Sequence, residues 1–192
     1  MQFFSKRNTV TLRGGLVYKQ AKDPKAAALE ASILRELYSH GVAVPEVVSH
    51  EGSLLVLEYL PGEPLPDIIG RGGVDPEAIA AALCDWFAAF YDAAPGELRG
   101  DVNGRNFLYD GKKIHGVDFE ERCHGPKARD AGRLAAFIET YETRERAGQA
   151  ALSRAFMMGF SERFHCKTSE ILAERESELA AMRLRRHHAS QS

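Results

Sequence analysis

Apolar positions recur at two different periods along the chain, and the change of period divides it. In the first part they form short β-prone runs at Val10 to Leu12, Leu16 to Tyr18, Val47-Val48 and Leu54 to Tyr59, with a further short strand expected at Gln2-Phe3-Phe4. Arg13-Gly14-Gly15 favours a tight hairpin between the first two runs, and Glu51-Gly52 turns the chain between the last two. One helical segment interrupts them. Asp23-Pro24 opens it with an N-cap and a proline in the first turn, Leu29, Ile33, Leu34 and Leu37 form its apolar stripe, and Gly41 ends it. Pro61-Gly62 then breaks the pattern and marks a linker.

Beyond the linker the helical period dominates. Asp75-Pro76 opens a helix through about Ala93, with Ile79, Ala82, Leu83, Trp86, Phe87 and Phe90 on its buried side. A second helix, capped by Asp130, bears Leu134, Phe137, Ile138 and Tyr141. A third carries Leu152, Phe156, Met157, Phe160 and Phe164, and a last one runs from about Ser169 to Arg186. Strands followed by helices predict an α+β fold: a small antiparallel sheet with one helix over residues 1–60, and a mainly helical part over 61–192, packed as one domain.

The helical part has one β interruption. Phe107-Leu108-Tyr109 and Ile114 to Val117 flank the turn signal Asp110-Gly111, so a small hairpin is expected. Its two outer ends are neighbours in an antiparallel pair. Asp101, Asn103 and Asn106 precede the first strand and Asp118 follows the second, so local geometry brings Asn106 and Asp118 side by side. Oxygen-bearing side chains gathered this way make a site for a hard cation, and magnesium with phosphate is the usual occupant. In the strand part, Lys19 reads on its own as a solvated strand end. Glu30 lies beside the apolar stripe, where a charge either reaches water or meets a cation, and Glu36 is placed to compete with it.

Composition narrows the setting. The chain has 192 residues, 44% of them apolar and 27% charged, with a net charge of −2. That is an ordinary globular balance, with no overall attraction to nucleic acid or anionic membrane. The apolar runs are too short to span a bilayer, and Ser-Lys-Arg-Asn after Phe4 does not read as a signal peptide. Cys84, Cys123 and Cys166 are odd in number and widely spaced, as free thiols in a reducing cytoplasm would be. His115, Cys123, His124, His165 and Cys166 match no zinc-ligand spacing. The tail Arg183-Leu184-Arg185-Arg186-His187-His188 is basic and then polar; it reads as a frayed end, with a nucleic-acid or partner contact as the alternative.

The stretch from Leu98 to Glu121 resembles the catalytic centre of the protein-kinase-like superfamily, where an Asp, four residues, an Asn, a hairpin and an Asp-Phe-Gly follow in order. Gly100-Asp101 and Asp118-Phe119-Glu120 are more similar to aminoglycoside phosphotransferases, RIO-type kinases and the small kinase subunit of the KEOPS complex. Arg99 stands where those relatives often have His, and Glu120 replaces the Gly. The resemblance implies ATP and magnesium as partners of the site and transfer of the γ-phosphate to a hydroxyl of a protein or small molecule. It implies Asp101 as the residue facing that hydroxyl, Asn106 and Asp118 as metal ligands, and Lys19 on the phosphates, oriented by Glu30. Glu58, Tyr59 and Leu60 fall at the adenine-docking hinge, and Asp130 falls where relatives bond back to the catalytic loop, here residues 99–106. The phosphate loop falls at Ser5-Lys6-Arg7-Asn8-Thr9 and contains no glycine; Lys6 and Arg7 either contact phosphate or form a basic solvated turn. The missing glycines keep open a second reading, a nucleotide-binding pseudokinase that acts as an interaction module.

Overall fold

The computed structural model describes residues 2–3, 9–73, 75–120 and 122–189. The first layer is a five-stranded antiparallel sheet, in the order β1 (Gln2–Phe3), β2 (Thr9–Arg13), β3 (Leu16–Gln20), β5 (Leu54–Glu58) and β4 (Val47–Glu51). Arg13 pairs with Leu16, so Gly14-Gly15 forms a two-residue turn. Both glycines have positive φ, 57° and 78°, a region that costs other residues a steric clash.

Helix α1 (Pro24–Ser39) packs on this sheet. The Asp23 carboxylate accepts from Lys25 N at 2.9 Å and caps the helix. Its buried face is Ala27, Glu30, Ala31, Ile33, Leu34 and Leu37. Leu29, expected in the stripe, is instead 40% exposed. Positions 27, 30, 31, 34 and 37 follow the helical period and Leu29 falls off it, while the two alanines let the helix approach the sheet closely.

The second layer is mainly helical. After β6 (Glu63–Pro64) come α2 (Leu65–Arg71), α3 (Pro76–Ala93), β7 (Glu97–Leu98), a turn of 3-10 helix at Gly104–Asn106, β8 (Phe107–Tyr109), β9 (Ile114–Gly116), β10 (Cys123–His124), α4 (Lys127–Thr140), α5 (Arg146–Phe164) and α6 (Thr168–Ala189). Asp75 caps α3 through Glu77 N and Ala78 N. Asp130 does not cap α4. That helix begins at Lys127 behind Pro126, and Asp130 lies buried within its first turn. The β8–β9 loop is also longer than a two-residue turn: Tyr109 pairs with Ile114, and Asp110 closes the loop by accepting from Lys112 N and Lys113 N. His115 meets the same carboxylate at 3.0 Å. Short ladders join β6 to β8 and β7 to β10.

An aromatic cluster fills the space beneath the hairpin. Trp86 stacks on Phe90 and meets Phe87 and Phe107 edge-on, and Phe87 reaches Phe156 and Phe160 on α5. Trp86 Nε1 and Gly116 N both donate to Ala43 O, at 3.0 and 2.9 Å, which ties the segment after α1 to the helical layer. Among the described residues no helix is long and apolar enough to cross a membrane.

Gly116 is the tightest point of this arrangement, because a Cβ there would overlap the Trp86 ring. Gly116→Ala is expected to cost about 1–3 kcal/mol through overpacking. Chemical denaturation measures it, and a parent-like midpoint would show that the ring can yield.

Candidate active site

Lys19 lies on β3 between Val10 and Leu55 of the flanking strands, and only 5% of it is exposed. Its ammonium pairs with Glu30 of α1 at 2.7 Å and with the Asp118 carboxylate, and Glu120 lies 3.5 Å away. Burial alone would lower the lysine pKa, but Glu30 and Asp118 outweigh it and raise the value, so the amine stays cationic. Glu30 also accepts from Phe119 N at 3.3 Å. Glu36, the competitor left open by periodicity, joins Arg122, which also pairs with Glu97 of β7.

The hairpin delivers Asp118. Phe107 pairs with Gly116, and Val117 N donates to Asn106 O at 3.0 Å, so Asp118 stands one residue beyond Asn106 on the opposing strand. Asp118 has φ 67°, one of two non-glycine residues with positive φ among those described, and its side chain is 41% exposed. Asn106 is buried and donates Nδ2 to Asp101 O at 3.2 Å. Asp101 is exposed, and its Oδ1 accepts from Asn103 N.

Two groups to which the sequence gives no role in the site shape this loop. Tyr141 OH accepts from Gly104 N at 2.7 Å and lies 3.2 Å from Asn103 Oδ1, while burial pushes its phenol up to about 12. Arg99, seen in the sequence only as a departure, is fully buried, and its Nη2 donates to Val117 O and Asp118 O. In the sequence Tyr141 falls on an apolar stripe, where its hydroxyl gives no signal. Asp130 braces the loop start: Oδ2 accepts from Arg99 N at 2.8 Å and Tyr91 OH at 2.9 Å, and Oδ1 from Gly100 N at 3.2 Å. Burial raises its pKa against those three donors.

Other candidates are placed as follows. Glu58 ends β5, Tyr59 is exposed and Leu60 is buried, leading into Pro61-Gly62. Lys6 and Arg7 lie outside the described residues. Cys84, Cys123 and Cys166 are free thiols. Among the described residues no group of three or more His, Cys, Asp and Glu side chains is gathered to hold a metal, and His124 Nδ1 lies 3.1 Å from Gly96 O instead.

No protein-family model matches the chain, and no curated protein matches it in sequence. Solved structures do match in fold. A macrolide 2'-phosphotransferase from Brachybacterium faecium superposes with a TM-score of 0.57 at 16% identity, covering 92% of this chain and 88% of that one. An ADP-bound aminoglycoside phosphotransferase gives 0.61 at 12% identity, covering 93% and 90%. A choline/ethanolamine kinase family protein from Mesorhizobium loti gives 0.53 at 15%, covering 96% and 86%. The fold is protein-kinase-like, an antiparallel sheet lobe with a mostly helical lobe.

Asp130 offers a direct test of what braces the loop. Asp130→Asn leaves one acceptor oxygen for three donors and turns an NH2 group toward them. The expected loss is on the order of 2–4 kcal/mol in chemical denaturation; an unchanged midpoint would remove Asp130 from this role.

Proposed function

We propose that this protein-kinase-like chain is an ATP-dependent phosphotransferase that moves the γ-phosphoryl group to a hydroxyl of its substrate. One observation carries the reading: a buried lysine, held by a helix glutamate, meets Asp118, and the hairpin joins Asp118 to the loop bearing Asp101 and Asn106. The fold neighbours support the reaction class, since they are phosphotransferases and a kinase-family protein, and one of them is ADP-bound.

The donor set fits magnesium. Asn106 commits its amide nitrogen to Asp101 O, which leaves the amide oxygen as a ligand, and the half-exposed Asp118 carboxylate supplies the charge. Two protein oxygens suit an ion that keeps several waters and phosphate oxygens. When bound, magnesium would neutralise charge on the phosphates. Lys19 would hold phosphate oxygens in competition with Asp118, while Glu30 keeps it aimed. Asp101, its carboxylate anchored by Asn103 N, would accept the hydroxyl proton as that oxygen bonds to the γ-phosphorus and the bond to the β–γ bridging oxygen breaks. Glu58, Tyr59 and Leu60 are proposed as the adenine-docking segment, Lys6 and Arg7 as side-chain contacts to phosphate. The absence of glycine from Ser5 to Thr9 favours a second reading, a nucleotide-binding interaction module without turnover.

Thermal-shift titration with ATP, with and without magnesium, tests the binding. ATP should raise the melting temperature, and more so with the metal. Asp118→Asn should abolish the magnesium-dependent part and keep the metal-free part; parent-like behaviour of the variant would remove Asp118 as the ligand. Turnover separates the two readings. Asp101→Asn should lower kcat on an accepted substrate by on the order of a hundredfold or more while ATP still binds. ATP binding with no turnover on any hydroxyl substrate would favour the interaction module.

A further inference from the structure

We infer that Arg99 is a positioning residue, a buried arginine that holds the backbone of Val117, Asp118 and Phe119 in its left-handed turn and thereby aims the Asp118 carboxylate. The inference rests on the phosphotransferase reading only for what that carboxylate does; how the turn is held is independent of it.

The starting point is the φ of 67° at Asp118. A Cβ costs energy there, less for aspartate than for most residues, so the surroundings help to hold the conformation, and such outliers gather at functional sites. Three groups converge on the turn. Lys19 grips the Asp118 side chain, and Glu30 accepts from Phe119 N. Arg99 alone among them holds main-chain oxygens, donating Nη2 to Val117 O at 2.6 Å and to Asp118 O at 2.8 Å. Its guanidinium also lies over the Phe119 ring, 4.1 Å from the centroid. One planar cation thus fixes the residues before, at and after the strained bond.

Arg99 is itself held. Its backbone N donates to Asp130, and the side chain is closed off from solvent. Burial lowers its pKa, and the nearby carboxylates of Asp101, Asp118, Asp130 and Glu30 offset that only in part. Its Nε has no hydrogen-bond partner among the described residues. The guanidinium therefore gives up one bond to sit where it can both stack on Phe119 and reach the two carbonyls. A lysine ammonium has no planar face to stack and is a single point of charge, so it should substitute only in part.

The test is amide hydrogen exchange on the ligand-free protein, comparing the parent with Arg99→Met, Arg99→Lys, Asp118→Gly and the double variant Arg99→Met/Asp118→Gly. In Arg99→Met the Phe119 amide should exchange about tenfold faster or more, with the amides of β3 and α1 unchanged. Arg99→Lys should fall between. Emission from Trp86, the chain's one tryptophan, should change with it, because its ring lies 6.4 Å from that of Phe119. Glycine takes positive φ without strain, so in the Asp118→Gly background the Arg99→Met effect should shrink to about twofold or less. Parent-like exchange at 117–119 in Arg99→Met overturns the proposal. So does an equal effect with and without Asp118→Gly, or a rise spread across the whole chain, since either would make Arg99 a packing residue. Should Arg99→Met fail to fold, Arg99→Lys decides alone: parent-like protection of Phe119 there refutes the role of the planar fork. A separate titration with ATP and magnesium should show the metal-dependent stabilisation lost in Arg99→Met. A parent without that stabilisation would count against the phosphotransferase reading alone, with the exchange result unaffected.

Discussion

An ammonium group can be buried in the middle of a β-sheet only if anions come to meet it, and this requirement at Lys19 organises the chain. Taking each ion out of water costs several kcal/mol, which geometry close to ideal must offset. The partners come from different elements: Glu30 from the helix after the strand, Asp118 from beyond the hairpin nearly a hundred residues later. The helix must therefore turn a glutamate inward, and Ala27 and Ala31 beside it let the backbone come near enough. The hairpin must end against the sheet, which brings the two lobes face to face. A single charge on β3 thus constrains the orientation of α1 and the docking of the helical lobe.

A second buried charge organises the helical layer. The Asp130 carboxylate gathers the start of the loop over 99–106 and Tyr91 of α3, while Tyr141, just past the end of α4, holds the loop's middle. The buried groups do the holding: Glu30, Arg99 and Asp130 are each no more than 2% exposed. Asp101 and Asp118, the groups proposed for the chemistry, keep an open face. Low dielectric strengthens the scaffold bonds, while the exposed carboxylates retain the solvation that lets them exchange partners.

Much of this was legible because local rules govern it. Gly14-Gly15, Asp23-Pro24 and Asp75-Pro76 act within a few residues, and the structure places turn and caps there. The hairpin of 107–117 was legible too, although its loop takes four residues because Asp110 closes on Lys112 and Lys113 as well. Periodicity could not choose between Glu30 and Glu36, since both flank the stripe; the choice depends on Arg122, which is distant in sequence and claims Glu36. The α2 helix has no helical signature, since Pro66 and Gly70 look like a loop, and the two-residue ladders of β6, β7 and β10 carry no pattern at all. Asp130 looks like a cap because it precedes the apolar stripe of α4, whereas Pro126 starts that helix a turn earlier. The set of site residues came from a resemblance in order and spacing. The groups it left out, Arg99 and Tyr141, are supports whose identity depends on what they must reach.

The carbonyl of Ala43 has a mechanical meaning. It receives both the Trp86 indole and the Gly116 amide, so the segment that follows α1 is pinned at one point to α3 and to the strand leading to Asp118. Sliding one lobe across the other would break both bonds together, whereas rotation about that oxygen need break neither. The oxygen thus sets position but not angle, and the angle is left to the ion pairs Lys19–Asp118 and Glu36–Arg122, which join the same two layers away from that point.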